Sequence, residues 1–408
     1  MTAVTVATGP DLPPPAGSAG GGTTNDAVRR QNLVAVLSEL RLNGTLSRAQ
    51  LSAQTGLNRS TITGLVSELM DAALVRELPA VPSTGKAGRP IAELQVDDAV
   101  SAISVGVDAD GVTVALIGLA GTVHARLHHD TARPVSPRRF VQLAVDLINV
   151  MRADIDRHYR VVGVGLAVPG LVDARGSVLV APTLQWRNEP IAARMSDRLG
   201  MHVTAGNDAS IGALVETRFG VARGVRNLLY LGGSLRGIGG GVIMDGTLLR
   251  GTSGYAGELG HTVVNPGGIK CVCGRRGCLE AEVDLSLIEP LLGRRRLDED
   301  ELDVELGVAR DPKVMAEVAR QVDVLSIALT NFVNAFSPEL VVLSGYLGSL
   351  LSVSRERLSA AVRLHPLGAE GRVVRLERSR LRSRLMLIGP AELAFAPILA
   401  DPTTAPRR

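Results

Sequence analysis

A chain of 408 residues is longer than one ordinary domain, so two or three domains are expected. Its hydrophobic content of 45% is enough for a buried core, and an aromatic content of only 2% makes that core aliphatic. The net charge of +3 is too small to indicate a partner on its own. No run approaches the roughly 20 apolar residues of a membrane helix, and the N-terminus lacks the basic start and apolar core of a secretory signal.

The first 24 residues are mainly Thr, Ala, Gly and Pro, with almost no charge and no periodicity. Such a composition cannot bury enough apolar surface to order itself. Residues 1–25 are therefore predicted to form a disordered tail.

Three short helices are predicted next, because apolar residues recur on one face in each of three stretches. Ser47 and Asn58 can each begin a helix, and Gly56 can end one. The predicted helices are Val28–Leu42, Arg48–Thr55 and Arg59–Ala72.

Two predicted strands, Leu74–Leu78 and Ile91–Val96, then enclose a segment with a basic tip. Residues 26–90 carry eight Lys and Arg against five acids, so this part of the chain is basic. This order of elements over residues 26–98 is typical of a winged helix-turn-helix. In that motif the second helix contacts base edges, and the wing contacts phosphates or the minor groove. A three-helix dimerisation or docking module is the alternative. The residues expected to contact double-stranded DNA are Arg48, Asn58, Arg59, Ser60, Thr61, Thr63, Lys86 and Arg89.

From Ala102 onward strands alternate with helices, which predicts an α/β fold. The predicted strands Leu228–Gly232 and Gly241–Met244 flank a glycine loop. Asn207 and Asp208 begin a predicted helix that ends near Gly220. The other predicted helices are Pro137–Tyr159 and Gln321–Phe336, and the strands are Ile103–Val107, Val112–Gly118, His124–His128, Val161–Val168, Val203–Ala205, Leu228–Gly232, Gly241–Met244 and Leu340–Leu343.

All three cysteines of the chain lie in one short window, and His261 precedes them closely. Three thiolates and one imidazole make a complete tetrahedral set for zinc, which leaves no position for water and predicts one structural ion per chain. The predicted ligands are His261, Cys271, Cys273 and Cys278. Gly274 and Gly277 permit the sharp turns of a tight knuckle. Chance clustering of three buried cysteines is the alternative, and reduced thiols indicate the cytoplasm.

Glu-Leu-Gly-His at 258–261, followed by Cys-Val-Cys-Gly-Arg-Arg-Gly-Cys-Leu-Glu at 271–280, resembles the ROK family (repressors, open reading frames, kinases). Weaker matches, such as Ser47–Leu51, Thr55–Leu57 and Gly88–Pro90, extend the resemblance over roughly residues 28–400. The resemblance implies two actin-like (ribonuclease-H-like) lobes over residues 99–402, with a sugar cleft between them and a structural zinc at 261–280.

A sugar contact is expected from six residues: Gly170, Asn207, Asp208, Glu258, His261 and Glu280. In ROK kinases the carboxylate matching Asp208 is the base that deprotonates the sugar hydroxyl. Alternatives remain: Asp208 can simply cap a helix at Ala209, and Glu280 can simply orient the knuckle.

The phosphate-binding stretches depart from the family. Where ROK kinases carry Asp-x-Gly-Gly-Thr-Lys, residues 108–113 place Asp110 at a glycine position, Val112 at the threonine and Thr113 at the lysine. Like charges about 4 Å apart cost on the order of 4 kcal/mol at an effective dielectric of 20, so Asp110 should repel ATP. The second loop, 235–241, keeps its glycines but has Arg236 in place of threonine.

Two further stretches are ambiguous. Thr183 stands where the family often has an asparagine that contacts sugar. The arginine-rich run 372–384 is interpreted as a solvated face of strand and loop.

The sequence thus predicts a sugar-responsive transcriptional regulator of the repressor type, rather than an enzyme, with Asp208 as a vestigial base. Its partners would be an operator, a sugar or sugar phosphate effector, and a second copy in a homodimer or dimer of dimers. A sugar kinase with a DNA-binding arm and a protein-docking hub are the rival interpretations.

Overall fold

The structure is a computed structural model that describes residues 25–79, 92–108, 110–234, 237–251, 254–294, 297–363 and 373–405. The predictions for residues 1–24, for the wing tip with Lys86 and Arg89, and for Arg236 and Arg372 lie outside the described residues.

The N-terminal part forms three helices and a small sheet, as predicted. Ser47 and Gln50 make a capping box at the start of the second helix, Gly56 ends it with a φ of 73°, and Asn58 accepts a hydrogen bond from the Thr61 amide at the start of the third. A two-residue strand was not predicted, and it pairs with the last strand of the sheet. The elements are α1 (Asn25–Asn43), β1 (Leu46–Ser47), α2 (Arg48–Thr55), α3 (Arg59–Asp71), β2 (Val75–Glu77) and β3 (Glu93–Val96), in the sheet order β1-β3-β2.

The first lobe that follows is built on a five-stranded sheet of order β11-β7-β4-β5-β6. The helices pack Phe140, Ile148 and Met195 into its aliphatic core. Its elements are β4 (Val100–Val107), β5 (Gly111–Gly118), β6 (Val123–Asp130), α4 (Pro137–His158), β7 (Arg160–Val168), β8 (Leu171–Val172), β9 (Val178–Ala181), β10 (Trp186–Glu189), α5 (Ile191–Leu199), β11 (Val203–Asn207) and α6 (Asp208–Phe219).

The second lobe is built on a five-stranded sheet of order β14-β13-β12-β15-β16. Its elements are β12 (Leu228–Ser234), β13 (Gly237–Met244), β14 (Thr247–Leu248), α7 (Leu279–Glu282), α8 (Glu289–Leu292), α9 (Glu299–Val308), α10 (Pro312–Phe336), β15 (Leu340–Gly345), α11 (Tyr346–Val353), α12 (Arg355–Arg363), β16 (Arg375–Arg378) and α13 (Ser383–Ala400). Although last in the chain, α13 returns to pack on β4 and β7 of the first lobe.

The N-terminal helices are not independent of the first lobe. Buried residues of α1 and α3, such as Leu33 and Leu69, belong to one core with Ile117 of β5 and Phe395 of α13. The two parts of the chain therefore share packed apolar surface, through which a shift in one can be felt in the other.

One prediction about the second lobe was wrong, and another needs a refinement. The stretch from Gly237 to Gly241 is a strand and not a loop, since Gly239 and Gly241 pair with Gly232 and Tyr230 of β12. The arginine-rich run is mostly the solvated face that was predicted, since Arg375, Arg380, Arg382 and Arg384 are exposed, and Arg378 is the exception among its described arginines. Arg378 is 15% exposed and lies 2.5 Å from Glu299 and 2.7 Å from Asp303 of α9. Arg378 is therefore held by two ion pairs. The arginine-rich sequence alone does not show these pairs, because both acids lie on a separate helix.

Helix α13 is the one described helix long and apolar enough to cross a membrane by length and composition, and half of it is buried inside the protein. Its Glu392 is almost fully buried and paired with Arg41. These contacts are those of a helix in the interior of a folded domain.

Candidate functional site

The four predicted metal ligands lie together. One donor atom from each of His261, Cys271, Cys273 and Cys278 lies within 4.8 Å of every other. Cys273 and Cys278 bring their sulfurs to 3.6 Å, and Cys271 Sγ lies 3.5 Å from His261 Nδ1. Tetrahedral zinc with Zn–S bonds of about 2.3 Å separates neighbouring sulfurs by about 3.8 Å, so the arrangement fits the ion.

Glycines shape this knuckle as predicted. Gly274 and Gly277 both have positive φ, 91° and 72°. A side chain at Gly277 would also meet the Asn265 carbonyl oxygen at 1.7 Å. Gly277 therefore satisfies two demands at once, a left-handed turn and a close backbone approach that brings Cys278 back towards Cys271.

Glu258 and Glu280 flank the imidazole of His261 on its two sides. Glu280 Oε1 lies 3.1 Å from Nδ1, and Glu258 Oε2 lies 3.9 Å from Nε2. Burial raises the pKa of Glu258; the charge of His261 lowers it and the charge of Glu280 raises it further. Nδ1 of His261 thus lies near both Cys271 and Glu280, whereas Nε2 faces Glu258.

Asn207 and Asp208 join the end of β11 to the start of α6. The N-cap is Asn207, whose side-chain oxygen accepts from the Ser210 amide at 2.9 Å, and not Asp208 as the alternative interpretation held. Asp208 Oδ1 accepts from its neighbour Ala209 at 2.8 Å. The Asn207 amide donates to the Gly170 carbonyl at 3.1 Å and to Asp208 Oδ1 at 3.2 Å, and so holds three predicted site residues together.

The carboxyl group of Asp208 is perturbed. Burial raises its pKa to about 6, the Ala209 amide opposes this, and the negative charge of Glu258 adds to it. The structure therefore brings Asp208 within electrostatic reach of Glu258. A carboxyl group with a pKa near 6 can accept a hydrogen bond from, or a proton from, a ligand hydroxyl near neutral pH.

Strand β13 lies between Asp208 and the Glu258–His261 segment, and three of its glycines let both come close to it. At each of these glycines, neighbouring atoms occupy the space that a side chain would need. A Cβ at Gly239 or Gly241 would come within 2.6 Å of Ala209 or Ala213 of α6. On the other face, a Cβ at Gly240 would meet the Gly257 carbonyl at 2.5 Å. The glycines thus let Asp208 and the Glu258–His261 segment approach from opposite faces of one strand.

Gly170 has a structural role of its own. A Cβ at this position would collide with the backbone of β9, because it would lie 2.4 Å from the Val180 carbonyl oxygen. The glycine is therefore required by the fold, whatever it contributes to a ligand.

Thr183 was noted in the sequence as a departure from the family. Its hydroxyl is buried and, within the described residues, has no hydrogen-bond partner. It lies in a short 3-10 helix, Pro182–Leu184, directly after Ala181, which packs against Gly170. A buried hydroxyl without a partner is costly and is expected to bind something.

The region of the altered first phosphate stretch contains a residue that the sequence analysis missed, His128. The His128 ring covers Gly111, where a Cβ would lie 2.7 Å from the ring, and it bonds to the Thr113 hydroxyl at 2.8 Å. The Asp110 amide is occupied by the Asp108 carboxylate at 2.8 Å. The pairing of His128 with Thr113 follows from the β5–β6 register, which could have been estimated from the hairpin alone.

The predicted DNA-contacting residues lie mostly at the exposed start of α3. Arg59, Ser60 and Thr63 are exposed and Thr61 is half-buried. Within the described residues the Arg59 side chain makes no hydrogen bond or ion pair. Two residues have other roles: the Asn58 side chain caps α3, and Arg48 pairs with Glu77 of β2 at 2.7 Å.

Several known proteins resemble this chain in sequence or in fold. The xylose repressor of Bacillus spizizenii is 31% identical over 318 residues, 78% of this chain and 82% of that protein. The glucokinase of Thermotoga maritima is 32% identical over 263 residues, 59% of this chain and 81% of that protein. The crystal structure of a ROK family transcriptional regulator, a homolog of the E. coli Mlc protein, matches 91% of this chain and 97% of that one with a TM-score of 0.74 at 24% identity.

The fold class is therefore confirmed as a two-lobed α/β domain of actin-like type, and the N-terminal helices fit a winged helix-turn-helix that precedes it. The family model described as ROK family matches residues 100–396. The chain belongs to the ROK family.

Proposed function

We propose that this protein is a sugar-responsive transcriptional repressor that binds operator DNA through its N-terminal helices and a sugar or sugar phosphate between its lobes. The observation that carries the proposal is the union in one chain of a helix-turn-helix and a cluster of polar residues around Asp208. The name of the Bacillus spizizenii relative, xylose repressor, agrees with it and makes D-xylose the first sugar to test.

The sugar site we propose consists of Gly170, Asn207, Asp208, Glu258, His261 and Glu280. Contacts within the set support it: Asn207 holds Gly170, Glu258 acts on Asp208, and His261 lies between the two glutamates. Carboxylates fixed in this way are good acceptors for adjacent hydroxyl groups. The buried hydroxyl of Thr183 is an added candidate for a ligand hydrogen bond.

The metal we propose at His261, Cys271, Cys273 and Cys278 is zinc, one per chain. The donor set of three sulfurs and one imidazole nitrogen suits zinc better than the hard cations, which prefer oxygen. When bound, the ion would supply structural cross-linking of the knuckle, and its four protein ligands leave no coordination position for catalysis. The knuckle would then fix Glu280 and His261 for the sugar.

The DNA contacts we propose are those of α3 and the wing, namely Arg59, Ser60, Thr61, Thr63, Lys86 and Arg89, with Asn58 and Arg48 supporting them. Arg59, an exposed arginine at the start of α3, is suited to a phosphate or a guanine edge. We further propose that domains of residues 26–98 and 99–402 act in the cytoplasm as a homodimer or a dimer of dimers, because two-fold operators require paired half-sites.

Phosphoryl transfer is the second candidate function, favoured by the raised pKa of Asp208 and by the glucokinase relative. The first phosphate stretch argues against it. His128 covers Gly111, the Asp108 side chain occupies the Asp110 amide, and Asp130 pairs with Gly111 across the hairpin. This stretch is unsuited to a triphosphate, because the space beside Gly111 is filled and one backbone amide is already hydrogen-bonded. The carboxylates of Asp108, Asp110 and Asp130 would also repel the phosphates.

The test is a calorimetric titration of D-xylose, D-glucose, N-acetylglucosamine and ATP, with a phosphoryl-transfer assay on any sugar that binds. The proposal expects one sugar to bind, ATP to give no heat, and no phosphorylated product. Turnover near or above about 1 s⁻¹, in the usual enzyme range, that Asp208→Asn abolishes would favour the kinase.

A further inference from the structure

The C-terminal ends of α1 and α6 meet at one buried carboxylate, Glu392 of α13. Its two oxygens face two arginines: Arg41 of α1, with Nη2 at 2.6 Å from Oε1, and Arg218 of α6, which bonds to Oε2. The Glu392 side chain is 2% exposed and the Arg41 side chain 6%. Burial alone would raise the pKa of Glu392, but the two guanidinium groups outweigh it and the pKa is lowered. Glu392 is therefore ionised and shared between the N-terminal helices and α6.

Arg41 is also fixed by neutral groups around it. Its Nε donates to the Leu119 carbonyl at 2.8 Å, and its guanidinium lies over the rings of Phe219 and Phe395 at 5.5 and 5.6 Å. Phe219 is the last residue of α6. Just beyond it, Arg223 donates to the carbonyl of Leu42 near the end of α1. The end of α6 thus touches the end of α1 through an ion-pair bridge, a ring face and a hydrogen bond.

The other end of α6 carries the proposed sugar contacts. The helix begins at Asp208, behind its cap Asn207, and runs 12 residues to Phe219. A helix of this length spans about 18 Å and moves as a rigid rod. The same element therefore starts at the proposed ligand site and ends on the first helix of the DNA-binding module.

We propose that the Arg41–Glu392–Arg218 cluster transmits sugar binding at the start of α6 to the DNA-binding helices. This inference rests on the proposed function and names the contact that couples its two sites. A shift of α6 displaces Arg218, and Glu392 must either follow it or give up a cation. A buried carboxylate that loses a cation is strongly disfavoured, so Glu392 and Arg41 move with α6. Arg41 then carries the end of α1, on which α2 and α3 pack.

A second link between the same two regions offers a contrast. Arg160 at the start of β7 donates to the carbonyls of Ala72 and Ala73, at the end of α3, at 3.0 Å each. Both acceptors are uncharged backbone carbonyls, and the two hydrogen bonds hold the end of α3 in place. In this proposal the Arg160 link anchors α3, whereas the Glu392 cluster transmits sugar binding to the DNA-binding helices.

The test measures coupling as a ratio of affinities, since two sites that influence each other do so reciprocally. A duplex selected from a random library is titrated by fluorescence anisotropy, with and without saturating amounts of whichever of D-xylose, D-glucose and N-acetylglucosamine binds. The variant is Arg218→Met, because this side chain is 34% exposed and its loss leaves the Arg41–Glu392 pair intact. The matched control is Arg30→Met, which removes an ion pair with Asp401 between the same two parts of the chain, away from α6.

In the wild type the sugar should change the dissociation constant for the duplex by about fivefold or more. Arg218→Met should reduce that ratio to below about twofold, while the affinities for sugar alone and duplex alone stay within about threefold of wild type. Arg218→Lys should restore part of the ratio, and Arg30→Met should keep it whole.

An unchanged ratio in Arg218→Met, or an equal loss in Arg30→Met, overturns the cluster as the coupling element. Failure of the proposed function looks different, since wild-type protein would then bind none of the sugars or no duplex, and the inference would fall with it.

Discussion

The side-chain amide of Asn207 donates to the carbonyl oxygen of Gly170 across 3.1 Å. This bond ties the turn after β7 to the first turn of α6, while the oxygen of the same side chain caps that helix. One amide group therefore aligns the backbone at Gly170 with the carboxylate of Asp208. An aspartate in place of Asn207 would keep the cap and lose the donor.

Substitution of Asn207 should separate these two roles. Asn207→Ala loses the cap and the bond to Gly170, and should lower the free energy of unfolding by about 1–2 kcal/mol. Asn207→Ser keeps a capping oxygen and should recover most of that loss, but it has no amide to hold Gly170. Both variants should bind sugar more weakly by calorimetry. Normal sugar affinity in Asn207→Ser would show that the bond to Gly170 does not shape the site.

Asp208 should make the protein's stability depend on pH. Its pKa rises from 3.8 to about 6 on folding, because burial disfavours the charged form. Between pH values of about 4 and 6, the unfolded chain has released a proton that the folded chain still holds. The free energy of unfolding therefore falls as the pH rises through this window, by at most about 1.4 kcal/mol per pH unit.

Asp208→Asn removes this titration. Relative to wild type, the variant should gain stability as the pH rises from about 4 to about 6 and hold a constant difference above that. Chemical denaturation at a series of pH values measures the difference directly. A difference that stays flat across the window would mean that Asp208 is not desolvated as the structure indicates.

Loss of one cysteine ligand should release the metal. Cys273→Ser should abolish metal binding, because the site uses all four ligands, and should lower the melting temperature, because a closed site contributes folding energy directly. The neighbouring Val272 is 81% exposed, and Val272→Ser is the matched control that leaves the ligands in place. Metal analysis of purified wild-type protein should find about one zinc per chain. Metal-free wild type with an unchanged melting temperature would refute the zinc assignment.

Two substitutions in α3 should differ in kind. Arg59→Ala should weaken binding to all duplexes and reduce the salt dependence by about one unit of slope if the contact is to phosphate. Thr61→Ala should instead change the preference among duplexes. Arg152→Ala on α4 removes the same charge far along the chain and should leave the salt slope unchanged. Equal behaviour of all three variants would exclude α3 as the DNA-reading helix.

The sequence predicted the helices, the caps and the clustering of His261 with the three cysteines because each depends on local signals. Ser47, Gly56 and Asn58 act within a few residues of themselves, and the cysteines lie in one short window. The same reasoning could not find Glu392 as the partner of Arg41, 351 positions away, because that pairing arises only when α13 returns to the first lobe. It also read the glycines of β13 as a loop, since only the packed structure shows α6 and the Gly257 backbone where side chains would be.

The most direct test of the central claim is duplex binding measured against added sugar, with and without Mg-ATP. The account predicts that one of D-xylose, D-glucose and N-acetylglucosamine shifts the dissociation constant of the selected duplex by about fivefold or more. It also predicts that ATP adds nothing and that no phosphorylated sugar forms. A duplex affinity that is indifferent to every sugar, together with phosphorylated product that disappears in Asp208→Asn, would contradict it.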